Sequence, residues 1–250
     1  MKAIGGYELF KRFGHVQALD GASVEVRAGE VVAVLGDNGA GKSTLVHTLA
    51  GLTRPDAGHV EIGDQRVVLT NARDALSRGV ECVHQDPALW PHLPVVDNLF
   101  LGAEPVAGGL RGRLGVLARR EMHERAYAAL KELAIELPSL TVAVSELSGG
   151  QRQAIAIARA VMRAETALLM DEPTAALGTR QSEVVGELIR AVAARGLGVL
   201  VVSHDIPRML RIADRVMILY RGETVHDGPA GDLTVLDAVA TMVGHGVRAG

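Results

Sequence analysis

A glycine-rich segment that directly follows an apolar run limits the possible folds of this chain more than any other feature. Residues 31–35 (VVAVL) predict a buried strand, and the nine residues after them, Gly36–Thr44, match the pattern G-x-x-x-x-G-K-[ST]. Glycines allow such a loop to wrap closely, so its backbone N–H groups and the start of the next helix can point at phosphate oxygens. Lys42 would reach the β- and γ-phosphates, and the Ser43 hydroxyl would bind Mg²⁺.

A plain glycine-rich turn is the alternative interpretation of this segment. The strand before the loop and the helix predicted from Lys42 onward favour the phosphate site, because that motif requires this placement. The candidate phosphate-contacting residues are Gly36, Asn38, Gly39, Ala40, Gly41, Lys42, Ser43 and Thr44.

A second apolar run ends in two acidic residues, in the stretch LLMDE at 168–172. An apolar strand that ends in an acid places a carboxylate at the carboxyl edge of the sheet, where phosphates would bind. Asp171 suits the Mg²⁺ shell, through water, since Mg²⁺ keeps several of its waters. Glu172 suits a general base that polarises an attacking water. Two acids that cap the next helix are the alternative.

Short runs that are apolar on both faces recur between helical patterns, which favours a parallel sheet covered on both sides. We therefore predict an α/β fold with a P-loop NTPase (RecA-like) core, a small antiparallel β subdomain and an inserted helical subdomain. The segment from Pro105 to Gly115 is glycine-rich and predicts a loop. Helical patterns predict helices at 119–136 and 233–243, and the antiparallel region predicts short strands at 24–26, 59–62 and 67–69. The predicted subdomains are 1–30 with 58–70 (antiparallel β), 31–57 with 71–90 and 160–230 (core), 91–159 (helical), and 231–250 (terminal helix and tail).

Charge and composition narrow the function classes. Lys plus Arg is 26 and Asp plus Glu is 29, so the formal net charge is 26 − 29 = −3, which disfavours a nucleic-acid partner. The one cysteine, Cys82, excludes an internal disulfide and indicates a reducing compartment. No apolar run approaches the roughly 20 residues that span a bilayer, so any membrane-spanning part would belong to another chain. A local basic cluster predicts a solvated face at Arg111, Arg113, Arg119 and Arg120.

The segment Leu147–Gln151 (LSGGQ) opens a predicted helix that runs to Val161. A Ser-Gly-Gly helix start can bind an anion, although alone it could be a simple N-cap. Together with the two preceding elements, it makes the sequence resemble the nucleotide-binding subunits of ATP-binding-cassette (ABC) transporters. The resemblance covers nearly the whole chain, and the motifs follow the order of that family.

The resemblance implies a set of roles for ATP and Mg²⁺ as cofactors. Ser148, Gly149, Gly150 and Gln151 would close over the γ-phosphate held by a second cassette, which is either a second copy of this chain or a paralogue. That arrangement is a head-to-tail pair.

Three further positions match the family by their place in the sequence. Gln85 would sense Mg²⁺ and the attacking water, and the loop after it would meet a membrane permease. His204, after the predicted strand 198–202, would contact the γ-phosphate. Phe13 would stack on adenine, although core packing is the alternative for this residue. Trp90 belongs either to the permease-facing surface or to simple packing.

Several segments are similar to the monosaccharide-importer branch, among them GDNGAGKSTL from Gly36 and DEPTAALG from Asp171. That similarity implies a sugar importer at the cytoplasmic face of the membrane, with permease subunits and, indirectly, a solute-binding protein. Gly178 departs from the family, which usually has Asp there to couple the two sites. An importer for another solute and a non-transport ABC module are the alternatives.

Overall fold

The computed structural model describes residues 1–244, without the side chains at 110 and 111. These residues form ten strands, nine α-helices and two short 3₁₀ turns. The strands are β1 (Lys2–Phe13), β2 (Val16–Arg27), β3 (Val31–Leu35), β4 (Ala57–Ile62), β5 (Gln65–Val67), β6 (Val80–Val83), β7 (Ala167–Asp171), β8 (Gly198–Val202), β9 (Arg215–Tyr220) and β10 (Glu223–Pro229). The helices are α1 (Lys42–Leu49), α2 (Ala72–Leu76), α3 (Val95–Phe100), α4 (Gly109–Arg113), α5 (Arg119–Glu132), α6 (Gly149–Val161), α7 (Thr179–Ala194), α8 (Ile206–Ile212) and α9 (Val235–Met242).

The central sheet has the strand order β10-β9-β3-β8-β7-β6. Strands β9, β3, β8, β7 and β6 are parallel, and β10 runs antiparallel to β9. The predicted parallel sheet therefore has one antiparallel strand at this edge. The physical reason is a tight turn at Arg221 and Gly222, both with positive φ, which folds β10 back on β9 as a hairpin.

Alternate residues of β3 show how this sheet is covered. Val31, Ala33 and Leu35 pack in one cluster with apolar residues of α6 and α7. Val32 and Val34 pack in a second cluster with α1 and the antiparallel strands. Both faces of β3 are fully buried, as expected for a strand of a doubly covered sheet.

The second sheet is antiparallel, with the order β2-β1-β4-β5. β1 and β2 each have 12 residues, so this part of the sheet is larger than the short strands that the sequence predicts. The third predicted strand, at 67–69, is displaced. Ile62 pairs with Gln65 across a turn, and this register ends β5 at Val67 while Val68 stays exposed.

Helices cover the span between β6 and β7, as predicted, with two local differences there and a third in α9. The segment predicted as a loop contains α4, whose short helix lies between the turns at Gly109 and Gly115. α5 ends at Glu132 and not at 136, because Ala134 adopts a left-handed φ of 52°. α9 is two residues shorter at its start than expected, since Thr234 caps it. Arg113, Arg119 and Arg120 are exposed, as predicted for a solvated face.

The parallel strands bring their carboxyl ends to one edge of the sheet, where ligands of open α/β folds bind. β3 is followed there by the glycine-rich loop, β7 by Glu172, and β8 by Ser203 and His204. The residue boundaries of the three subdomains stay a prediction, and the predicted tail at 245–250 lies outside the described residues. Within residues 1–244, no helix combines the length and the apolar character that crossing a bilayer requires.

Candidate nucleotide site

The loop between β3 and α1 is shaped by close neighbours. A Cβ atom on Gly36 would lie 2.5 Å from the carbonyl oxygen of Leu219, and one on Gly41 would collide with the carbonyl oxygen of Ala18. Gly41 also has a φ of 106° at the N-cap of α1. Only glycine fits these two positions, so the loop conformation is fixed by packing as well as by its own sequence.

Lys42 holds the loop from inside. Its side chain is 8 % exposed, and its ammonium donates to the carbonyl oxygens of Gly36 at 2.9 Å and Asp37 at 3.0 Å. This geometry wraps the loop around a fixed positive charge. The exposed backbone of the loop and the N-terminus of α1 therefore form a cradle for anionic oxygens.

Ser43 and Asp171 come together from the start of α1 and the end of β7. The Ser43 hydroxyl donates to Asp171 Oδ1 at 3.3 Å, and Asp171 is 7 % exposed. A hydroxyl and a carboxylate are hard oxygen ligands of the kind that Mg²⁺ prefers, so this pair fits the predicted metal role.

Glu172 and His204 meet at the same edge of the sheet. His204 Nδ1 lies 2.8 Å from Glu172 Oε2, so a protonated Nδ1 can donate to this carboxylate. Glu172 has a φ of 51°, and its N–H donates to the Val202 carbonyl at 3.0 Å. A non-glycine residue in this conformation is strained, which is typical of a functional position.

These residues surround one cavity of about 660 Å³. Of the predicted site residues, the cavity is lined by Gly36, Asn38, Gly39, Gly41, Lys42, Ser43, Thr44, Gln85, Glu172 and His204. Ala40 lies buried behind the loop, where its N–H donates to the Asp37 carbonyl at 3.1 Å. Phe13 is 51 % exposed and lies outside the lining, while its cross-strand partner Val16 is part of it.

The segment Ser148–Gln151 lies elsewhere. Ser148 Oγ accepts from the Gln151 N–H at 3.2 Å, and Gln151 Oε1 accepts from the Ser148 N–H at 3.0 Å, which forms a capping box. Ser148, Gly150 and Gln151 line a separate cavity of about 320 Å³ with residues of α7 and of the turn after α5. A Cβ on Gly149 would contact Leu177 at 3.2 Å. The chain does not bring these four residues to its own phosphate loop.

Two residues that the sequence did not single out fix the loop after Gln85. Arg159 of α6 donates to the carbonyl oxygens of Pro87 at 2.8 Å and Ala88 at 3.0 Å. Asn98, fully buried in α3, bonds to both backbone groups of Trp90. The sequence offered one signal for Asn98, namely an amide side chain at the start of the apolar stretch NLFL. The Trp90 side chain is 62 % exposed, which favours a surface role over simple packing.

Five further lining residues were missed, namely Val16, Ala18, Asp37, Ala175 and Met242. Asp37 occupies a variable position of the loop motif, and the other four are small or apolar and have no motif of their own. Cys82 packs against the core, and burial together with the nearby Asp171 and Glu81 raises the pKa of its thiol to about 12. This thiol therefore stays protonated and has a packing role.

The fold and the site together define a P-loop ATPase. The model of the ABC transporter family matches residues 19–175. The chain belongs to the ABC transporter family, and it is an ATP-binding ATPase subunit of that family. The predicted resemblance is thus confirmed.

Three relatives agree with the predicted monosaccharide-importer branch of the family. The chain is 43 % identical over 218 residues to a xylose/arabinose import ATP-binding protein of Sulfolobus acidocaldarius, which covers 87 % of this chain and 84 % of the relative. It is 41 % identical to a fructose import ATP-binding protein of Rhizobium meliloti, over 94 % of this chain and 92 % of the relative. A ribose import ATP-binding protein of Bacillus licheniformis is 37 % identical, and there the match spans 47 % of the relative.

Solved structures confirm the fold class. A nucleotide-free ATP-binding cassette from an ABC transporter superposes with a TM-score of 0.84 over the full length of both chains, at 24 % identity. A dimeric ATP-binding cassette bound to ADP and Pi superposes with a TM-score of 0.73, at 27 % identity, over 91 % of this chain and 98 % of the other.

Proposed function

We propose that this chain is the ATP-hydrolysing subunit of a sugar importer, and that two cassettes close head to tail around ATP to drive a separate permease. The observation that carries the proposal is the separation of the two anion-binding helix starts. The phosphate loop and Ser148 line different cavities of one chain, which supports contact between Ser148 and a γ-phosphate held by another chain.

Residues of the phosphate cavity have matching roles in hydrolysis. The loop and Lys42 hold the phosphates, and Ser43 with Asp171 would hold Mg²⁺, which neutralises phosphate charge. Glu172 orients the attacking water and takes up its proton. His204, in contact with that carboxylate, is placed to bind the γ-phosphate, and Gln85 lines the same cavity.

Helix α6 is suited to transmit the closure of the two cassettes to a permease. It starts at the Ser148 cap, and Arg159 lies about 15 Å along its axis, at 1.5 Å per residue. Arg159 holds the loop after Gln85 by two hydrogen bonds. Movement of Ser148 toward a partner's phosphate would therefore move this loop, together with the exposed Trp90.

Sugar as the cargo is supported by the relatives, each of which is an import ATP-binding protein for a sugar. The same relatives support a position at the cytoplasmic face of the membrane, bound to permease subunits, with a solute-binding protein as an indirect partner. The second cassette is a copy of this chain or a paralogue. A net charge of −3 disfavours nucleic acid.

Purification from the native cells in mild detergent tests this proposal. We expect a membrane permease to copurify, and we expect deletion of the gene to abolish uptake of radiolabelled xylose, fructose or ribose. Purification with ribosomes or DNA at about 0.15 M salt, with no permease, would favour the non-transport class. If the deletion instead abolishes uptake of a different solute, the importer function would stand and the proposed cargo would be wrong.

A further inference from the structure

Part of the wall of the 660 Å³ cavity has no role in phosphate chemistry. Val16 and Ala18 of β2 and Met242 of α9 line the cavity, and their side chains carry no group that donates a hydrogen bond to a phosphate oxygen. Val16 and Met242 lie 226 residues apart in the chain (242 − 16). A wall assembled from such distant elements is a feature of the fold and not of the phosphate-loop motif.

The chain positions this wall directly against the phosphate loop. Ala18 touches the loop, since its carbonyl oxygen occupies the space that a Cβ on Gly41 would need. Gln85, Glu172 and His204 surround the place where the terminal phosphate is attacked. A nucleotide with its phosphates in the loop must put its base on the remaining surface, and an apolar wall suits a flat aromatic ring.

Helix α9 is fixed in this position. Ala238 is fully buried against the core. Gly244, with a φ of 80°, comes two residues after the helix and packs against the Tyr220 ring. A Cβ on Gly244 would lie 3.0 Å from that ring. The turn after Tyr220 is bonded to the phosphate loop, because the Gly222 N–H donates to the Ala40 carbonyl at 2.9 Å. One continuous set of contacts therefore joins the loop and the end of α9.

We propose that Met242, at the end of α9, is a further nucleotide-binding residue that contacts the base from the wall that it shares with Val16. A polarizable thioether packs well against an aromatic ring, and a base is such a ring. The inference rests on the proposed ATPase function and extends it, since it assigns base recognition to the last helix of the described chain.

The test compares ATP with inorganic tripolyphosphate, which has the phosphates but no base, by calorimetric titration of the full chain. We expect Met242→Ala to weaken ATP binding by about fivefold, from the lost sulfur–aromatic contact and packing. Its affinity for tripolyphosphate should stay within about twofold of the wild type. Met242→Leu should restore most of the ATP affinity, and Val16→Ala should repeat the base-dependent loss.

Leu236→Ala is the matched control, because Leu236 lies on α9 with 80 % exposure and outside the cavity lining. We expect it to bind both ligands as the wild type does. Unchanged ATP binding by Met242→Ala, or equal losses for ATP and tripolyphosphate, would overturn the base contact while leaving the ATPase function in place. A wild-type chain that binds neither ligand would overturn the proposed function, and this inference with it.

Discussion

Two helices of this chain, α1 and α6, begin with candidate anion-binding segments. The two helix starts differ in how much of a phosphate site each one provides within a single chain. At α1, Lys42 is buried and bonded to its own loop, and neighbouring backbone leaves room only for glycine. At α6, Ser148 is exposed, and its hydrogen-bonding groups are engaged with Gln151 in a capping box. In the proposed function, the first start holds the phosphates within one chain, and the second is a stable helix end that would contact a phosphate held by another chain.

This difference indicates which part of the proposed mechanism needs the association of two chains. The residues proposed to hold and attack the phosphates follow neighbouring parallel strands at one edge of the sheet. The Ser148 end is placed on a different cavity by the helical region. Changes at the first start should therefore alter ATP binding by a single chain, while changes at the second should alter turnover only in the assembled pair.

Glu172→Gln should have the largest effect on turnover, a loss of at least about 100-fold, because the general base is removed. ATP affinity should stay near the wild-type value, since the phosphate loop is intact. Steady-state phosphate release and ATP titration measure the two quantities. Glu183→Gln, an exposed position on α7, is the control. Unchanged turnover would remove Glu172 from this role.

Lys42→Ala should weaken ATP binding by about 100-fold, because charge-assisted hydrogen bonds to two phosphates are lost. The effect should be visible in a single chain by calorimetry, whatever the protein concentration. Lys131→Ala changes an exposed lysine of α5 and should bind ATP normally. Normal ATP affinity of the Lys42 variant would contradict the phosphate-loop assignment.

Ser148→Ala should distinguish the functions of the two helix starts. ATP affinity of the single chain should not change, whereas turnover of the pair should fall by about tenfold with the lost contact to the partner's phosphate. Loss of the N-cap should also lower the free energy of unfolding by about 1 kcal/mol. Turnover measured over a range of protein concentrations distinguishes these effects. A weakened ATP affinity in the monomer would show that Ser148 acts within its own chain.

Gly178→Asp should have the smallest effect on the isolated chain. Gly178 is the N-cap of α7 with φ −71°, and a Cβ there would meet no atom within 4 Å, so the change is tolerated. Asp should stabilise the helix start by a few tenths of a kcal/mol relative to Gly, about 1 °C in Tm. Gly178→Ala should lower Tm instead, which thermal unfolding would detect. A lowered Tm in the Asp variant would mean that this position is packed.

Motif residues close together in sequence were predictable, because their geometry is local. The strand, loop and helix at 31–49 follow from glycine placement and an apolar run, and the Ser148 cap follows from residue type. The site also depends on contacts that local patterns do not encode. Met242 reaches the cavity only after α9 packs on the core, and Arg159 meets the loop after Gln85 across 71 and 72 residues.

Element ends were harder to predict where the backbone takes an unusual conformation. Ala134, a non-glycine residue with positive φ, ends α5 four residues before the expected position. Arg221 likewise starts the turn that adds β10 antiparallel to the sheet. Residue type disfavours such conformations, and only the surrounding packing imposes them.

The solution mass of Glu172→Gln, measured by light scattering in Mg-ATP and then in Mg-ADP, tests most directly whether the second helix start needs another chain. We predict a monomer in ADP and a dimer in ATP, because slow hydrolysis keeps the γ-phosphate available to Ser148 of a second copy. A monomer in both nucleotides, with ATP demonstrably bound, would contradict closure between two copies of this chain.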